Sequence, residues 1–383
     1  MNTGMSITRI NAFAYRAPID TPVETSFGIM RDRPAVFVRL ETEDGAFGWG
    51  EVFANWPSAG AEHRVNLLRD DIAPLIMGRR FEAPGDLFKF LDRATQIRAL
   101  QCGEEGPFRQ VIAGLDIAMW DLFSRRASLP VRELLNGNAP AAVPIYASGI
   151  HLHAAQEIIQ NAASNGFSIF KVKVGFGPDE TAAVKEILSE LASDQTLAID
   201  ANQGWSIAEA SAFLQSFSAD ELMWAEEPMP AYAPLSDLDR LADMIDVPLA
   251  GGENISGYRN FAHAITKSPM AVLQPDVIKW GGLSGCYRIG SATLAYGKRY
   301  CPHYLGGGIG LAASAELLAS VGGDGILELD VNPNPLREEI VSTTHHVKDG
   351  KWKLQHSPGL GVDELPKSLL RYRTSSIELT KGG

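Results

Sequence analysis

Between Val143 and Leu329 apolar strands and amphipathic helices alternate without a break, which leaves the chain few architectures. Strands read at Val143–Ala147, Ile169–Val174, Thr196–Asp200, Leu222–Ala225, Pro248–Ala250, Val272–Ile278, Tyr300–Tyr304 and Ile326–Leu329. Helices read from Ala154, Asp179 and Ile207, then at Leu235–Met244, Tyr258–Thr266, Gly285–Tyr296 and Ala312–Ser320. Such regular repetition, with no glycine-rich dinucleotide turn after its first strand, favours a closed parallel barrel over an open doubly wound sheet. The expected class is α/β, a (β/α)7β TIM-like barrel over residues 139–330.

What precedes the barrel follows a different rule. Ile7–Tyr15, Ala35–Thr42 and Phe47–Val52 read as an antiparallel sheet, with a polar loop Ala17–Pro34 carrying Arg31 and Arg33 and a second loop at Asn55–Gly60. From Ala61 to Leu135 the apolar spacing turns helical, as in Val111, Leu115, Ala118 and Leu122. Strands followed by helices indicate an α+β domain over 1–138, ending at the Gly137–Pro140 breaker. The tail, 331–383, is expected to return to that domain and complete it.

Composition narrows the partners. A formal charge of −12 argues against tracking nucleic-acid phosphates, and no apolar run approaches the ~18 residues of a membrane helix. Cys102, Cys286 and Cys301 lack disulfide or metal-ligand spacing, and the first residues show no basic-then-apolar export pattern; a reducing cytoplasm is expected.

In a βα barrel the residues at the C-terminal ends of the strands converge on one mouth. Lys171 and Lys173 end the second strand on one face, where each ammonium is expected to lower the other's pKa. Asp200 and Asn202 end the third strand, Glu226 the fourth and Glu253 the fifth, one βα unit apart. Three converging carboxylates repel unless a cation joins them, and oxygen-only ligands suit Mg2+. Singly, Asp200 or Glu253 reads equally well as a helix cap, and Glu227, turned away by alternation, as structural. Asp276 on the sixth strand and His303 on the seventh form a pair in which the carboxylate would set the imidazole tautomer, and Glu328 ends the eighth. Gly306–Gly310 reads as a tight turn leaving room for a ligand.

Taken together these motifs resemble the enolase superfamily, specifically its mandelate racemase group: Lys-x-Lys, Asp-x-Asn, Glu-Glu-Pro, Gly-Glu-Asn, the Asp/His pair and the last-strand Glu, along nearly the whole chain. The resemblance implies that Lys173 is a general base, with Lys171 as its modulator and a contact of the substrate carboxylate. It implies Mg2+ on Asp200, Glu226 and Glu253, and His303, oriented by Asp276, as acid or base on the opposite face. Glu328 and Asn202 would contact a small carboxylate substrate, and the assembly would be a homo-oligomer. Muconate-lactonising relatives carry a lysine where Asp276 stands; Lys279, three residues on, is expected to face the other way on a regular strand.

The implied reaction is Mg2+-dependent removal of the proton α to a carboxylate, followed by loss of a β-hydroxyl from an acid sugar, aldonate or aldarate. A racemase or epimerase and an aldarolactone cycloisomerase share the first step. The tail Glu328–Pro335 and the arginine-bearing first loop are similar to the cycloisomerases, and Arg31 and Arg33 could meet a substrate's distal end. A Schiff-base aldolase would use a barrel lysine without needing three carboxylates, and a binding protein on the same scaffold would bind without proton exchange.

Overall fold

The computed structural model describes residues 4–177 and 180–382; Met1–Thr3 and Asp179, where a helix is expected to begin, lie outside the described residues. Strand β1 (Met5–Thr25) runs antiparallel to β2 (Gly28–Thr42), and β2 to β3 (Phe47–Val52). Ile10, Ala12 and Ala14 alternate into the core. Helix α1 (Pro84–Cys102) packs on α2 (Glu105–Ala127), and α2 packs on β2 and β3. Contact between β3 and α2 requires glycine, because a Cβ on Gly50 would stand 1.9 Å from the Gly114 carbonyl oxygen.

Two sequence expectations fail here. The stretch from Ala17 to Pro34 is not a loop: β1 and β2 continue past a bulge after Pro18 and pair Val23 with Met30, closing at Ser26–Phe27. Proline and polar side chains mask a register whose inward residues, Val23 and Met30, are buried. Nor do Arg31 and Arg33 sit on a loop: both lie on β2, Arg31 exposed and Arg33 buried.

The barrel strands are Ala142–His151, Ile169–Lys173, Thr196–Asp200, Leu222–Glu226, Leu249–Gly251, Val272–Leu273, Arg299–Tyr300 and Leu327–Asp330. They pair in parallel in the order seven to one, with the eighth on the first. Among the described residues no ladder pairs the seventh strand with the eighth; there the Tyr304 amide donates to the Glu328 carboxylate (2.9 Å). Tyr146, Ala198, Trp224, Ala250, Val272, Cys301 and Ile326, drawn from nearly every strand, form a separate core inside the ring. The sixth and seventh strands are shorter than expected; beyond Leu273 and Tyr300 only an isolated bridge joins Asp276 to His303. After the barrel, Trp352 pairs with Val143 of the first strand, and a last strand, Arg373–Thr380, pairs with β1. Among the described residues no helix is long and apolar enough to cross a membrane.

Buried polar ties hold the sheet domain over the barrel. Arg33 Nη2 donates to Asp330 Oδ2 (2.8 Å), and Asp116 accepts from the Ser284 amide and hydroxyl (2.8 and 2.6 Å). Glu51, at the end of β3, accepts from the amides of Gly307 (2.5 Å) and Gly310 (2.8 Å) and from the Tyr304 hydroxyl (3.3 Å). A Cβ on Gly306 would lie 2.8 Å from Glu51 Oε1, so the glycine run admits the sheet domain's carboxylate rather than clearing space for a ligand.

Candidate active site

Register alone aligns the site. Lys173 pairs with Asp200 and Asp200 with Glu226, so three neighbouring strands end at one level around the mouth. The backbone there departs from strand geometry: Asn202, Gln203 and Glu227 hold φ of 44°, 66° and 37°, a strained region for non-glycine residues that recurs at functional sites. A cavity of about 300 Å³ opens above, with Lys173, Asn202, Glu253, Lys279 and His303 on its floor.

The charges interlock. Lys173 Nζ donates to Asp200 Oδ2 (2.6 Å) and Asn202 Oδ1 (2.7 Å). Lys171, buried beneath, donates to Glu226 Oε1 (2.6 Å) and lies 2.8 Å from Glu328 Oε1. His303 Nδ1 donates to Asp276 Oδ2 (2.8 Å), and its Nε2 is ion-paired with Glu253. Burial lowers the pKa of His303, but Glu253, Glu328 and Asp276 hold it well above the ordinary range. Burial, the largest influence, lowers Lys173 and Lys171 lowers it further, but Asp200 by its charge and its hydrogen bond, together with Glu226, offsets both, and the net shift is upward. The expected sign of the Lys171 effect is therefore present, but the surrounding carboxylates together reverse it.

Glu226 shows why a divalent cation suits this place. Burial, with Asp200 and Glu328 behind it, pushes its carboxyl up to about 7 against the pull of Lys171. Buried carboxylates on consecutive strands form an oxygen donor set that a hard cation relieves. Among the described residues no three such groups gather into a ready cage; Asp200, Glu226 and Glu253 each turn to a separate cation, namely Lys173, Lys171 and His303.

Comparison with known proteins settles the family. Residues 7–136 match the mandelate racemase/muconate lactonizing enzyme N-terminal domain, and residues 153–366 match the enolase C-terminal domain-like family. The chain belongs to the mandelate racemase/muconate lactonizing enzyme group of the enolase superfamily. A mandelate racemase/muconate lactonizing enzyme from Bordetella bronchiseptica superposes with a TM-score of 0.90 at 40% identity, covering 96% of this chain and 99% of that one. D-galactarolactone cycloisomerase of Agrobacterium fabrum is 27% identical over 96% of this chain and 99% of its own. Arabinonate dehydratase of Saccharolobus solfataricus is 28% identical over 85% and 87%.

Within this enolase-superfamily enzyme several side chains lie where alternation does not place them. Lys279 faces the mouth: the chain turns at Asp276, whose carbonyl accepts from the Lys279 and Trp280 amides, and Lys279 Nζ donates to Asn254 Oδ1 (2.9 Å) near Glu253 Oε1 (3.5 Å). Glu227 is also at the site, accepting from Asn254 Nδ2 (2.9 Å), and burial followed by Glu253 raises it to about 8. Lys171 and Glu328 lie below the cavity instead of lining it, with Ser148 Oγ also donating to Glu328 Oε1 (2.5 Å). Arg33 is committed to Asp330 and the Pro333 carbonyl, and Arg31 is not part of the wall. The sequence carries no local signal for Phe27, Phe53 and Trp56, which the sheet domain brings over the mouth.

Proposed function

We propose that this enzyme removes the proton α to the carboxylate of a sugar acid and then eliminates its β-hydroxyl. The observation that carries the reading is one cavity entered from the second strand by Lys173 and from the seventh by a histidine whose other nitrogen is held by Asp276. Two proton carriers reached from different strands can serve two faces of one carbon. Asp200, Glu226 and Glu253 would hold Mg2+; when bound, the ion supplies positive charge that stabilises the developing enediolate and competes with Lys173 for Asp200.

Lys173 takes the α-proton, and the C–H electron pair enters the enediolate. Its collapse breaks the C–O bond at the β-carbon, and His303 hands its Nε2 proton to the departing hydroxyl, leaving as water. Asp276 keeps Nδ1 protonated, so that Nε2 is the nitrogen that exchanges. Lys171 and Glu328 act from beneath, the first as a fixed positive charge near Lys173. The division into a cap, 1–138 completed by 331–383, and a catalytic barrel, 139–330, belongs to the same reading, with Lys351–Lys353 of the tail laid along the first barrel strand.

Cycloisomerisation is the second reading, favoured by the names of D-galactarolactone cycloisomerase and of the 3,6-anhydro-D-galactonate cycloisomerase from Zobellia galactanivorans, whose structure matches with a TM-score of 0.83 at 25% identity. Both readings share the first step. Proton NMR in deuterated water with aldonates, aldarates and their lactones tests it: α-proton exchange is expected with Mg2+ and is lost in Lys173→Ala with metal binding retained. Undiminished exchange in that variant would sink Lys173 as the base.

A further inference from the structure

The two oxygens of Glu226 are not in equivalent places. Oε1 accepts from Lys171 Nζ on the second strand (2.6 Å). Oε2 accepts from Gln274 Nε2, just past the sixth strand (2.5 Å), and from Trp224 Nε1, two residues back on its own strand (3.3 Å). All four side chains are at most 2% exposed, and the Gln274 amide is itself fixed by the Gly251 carbonyl (2.9 Å).

A carboxylate has about four lone-pair sites, two on each oxygen, so two donors fill Oε2. Their chemistry matters as much as their number. Asp200 and Glu253 also accept bonds from their neighbours Asn202 and Asn254, but their remaining partners are Lys173 and His303. An arriving cation repels an ammonium or an imidazolium, and it would repel Lys171 from Oε1 in the same way. It does not repel the amide of Gln274 or the indole of Trp224, so Oε2 stays occupied and Glu226 has only Oε1 to give. Gln274 holds this place at a cost, because its own Oε1 is buried without a partner. A leucine would avoid that cost, and turning the amide over would set its oxygen against the ionised carboxylate, so what accounts for Gln274 is its N–H on Glu226.

We infer that Gln274, assisted by Trp224, is a positioning residue that confines Glu226 to a single oxygen toward the cation, and that this confinement sets a preference for Mg2+ over Ca2+; the inference rests on the metal ligands of the proposed function. Mg2+ demands compact octahedral geometry and keeps several of its waters, which one-oxygen ligands suit. Ca2+ takes more oxygens in looser geometry and accepts a carboxylate through both of them. A Glu226 with both oxygens free would therefore serve Ca2+ better than the one that Gln274 holds.

Calorimetry of the chelator-treated protein, titrated with Mg2+ or Ca2+ alone, reads the preference. Gln274→Leu cannot donate; it is expected to lower Mg2+ affinity about tenfold and to cut the ratio of Mg2+ to Ca2+ affinity by about as much. Trp224→Phe removes the longer bond and should move the ratio the same way by a smaller factor. A barrel that is merely loosened weakens both ions alike and leaves the ratio where it was. An unchanged ratio in Gln274→Leu, or in Trp224→Phe should Gln274→Leu fail to fold, therefore overturns the inference. Uptake of neither ion by the unmodified protein removes the proposed ligands and the inference with them. Absence of α-proton exchange in a protein that binds Mg2+ overturns the reaction instead, while the ratio still judges Gln274.

Discussion

Glu51 links the sheet domain to the segment that follows His303, and replacing it by glutamine separates its effect on stability from its effect on catalysis. Its carboxyl is 1% exposed, and burial pushes it up from an ordinary 4.5 to about 7, against the amides of Gly307 and Gly310 and the Tyr304 hydroxyl; Asp276 adds to the rise. A carboxyl whose folded pKa exceeds its unfolded value binds more protons when folded. Its stabilising contribution is therefore complete below about 4.5 and is lost as pH climbs to about 7. The loss amounts to about 3 kcal/mol for a shift of this size. Glu51→Gln removes that dependence, because its amide is neutral throughout. Urea unfolding is expected to find the variant close to the parent at pH 5 and more stable by up to about 3 kcal/mol at pH 8. The amide presents an N–H where the carboxylate accepted one, so the Gly307–Gly310 turn behind His303 loosens. One such charged hydrogen bond corresponds to a fall of about tenfold in kcat, with KM little changed, since Glu51 does not line the cavity. A variant that falls further behind the parent as pH rises would refute the reasoning, because ionised Glu51 would then be a net stabiliser.

Three further outcomes are expected. Arg33→Ala leaves Asp330, in a place where the pair is 3% and 5% exposed, with Arg337 Nη1 3.6 Å away and the two Asn332 donors, and should lower unfolding free energy by about 2 kcal/mol, short of the ~3–5 kcal/mol of a wholly unpaired buried charge; a loss under about 1 kcal/mol would show the pair to be dispensable. Gly50→Ala drives a methyl to within 1.9 Å of the Gly114 carbonyl oxygen and should cost about 3 kcal/mol or more, read as a lower melting temperature; an unchanged value would mean that β3 and α2 can part freely. Dialysis against a chelator should abolish α-proton exchange, and Mg2+ should restore it in the parent but not in Asp200→Ala; exchange persisting without divalent ions would remove the metal from the proposal.

Much of this molecule is local in origin. Alternation of apolar strands and helices depends on each segment's own pattern, and a strand's last residue is visible as the first polar one after it. Lys173, Asp200, Glu226 and Glu253 are therefore legible from the chain's own pattern, and parallel register brings the first three to one level. The direction of a side chain is equally local while the strand lasts. It ceases to be so at Lys279 and Glu227, where the ladder has ended and a turn or a left-handed residue resets the face. Residues contributed by the other domain have no sequence signal at all: Phe27 and Trp56 over the mouth, Glu51 on the glycine turn and Arg33 on Asp330 are separated from their partners by up to 297 positions in the case of Arg33. Ionisation is likewise decided in three dimensions. Two neighbouring lysines alone imply depressed pKa values, but Asp200, Glu226 and Glu328 pack against them and reverse the sign, since a charge responds to every charge around it and not to its chain neighbour alone.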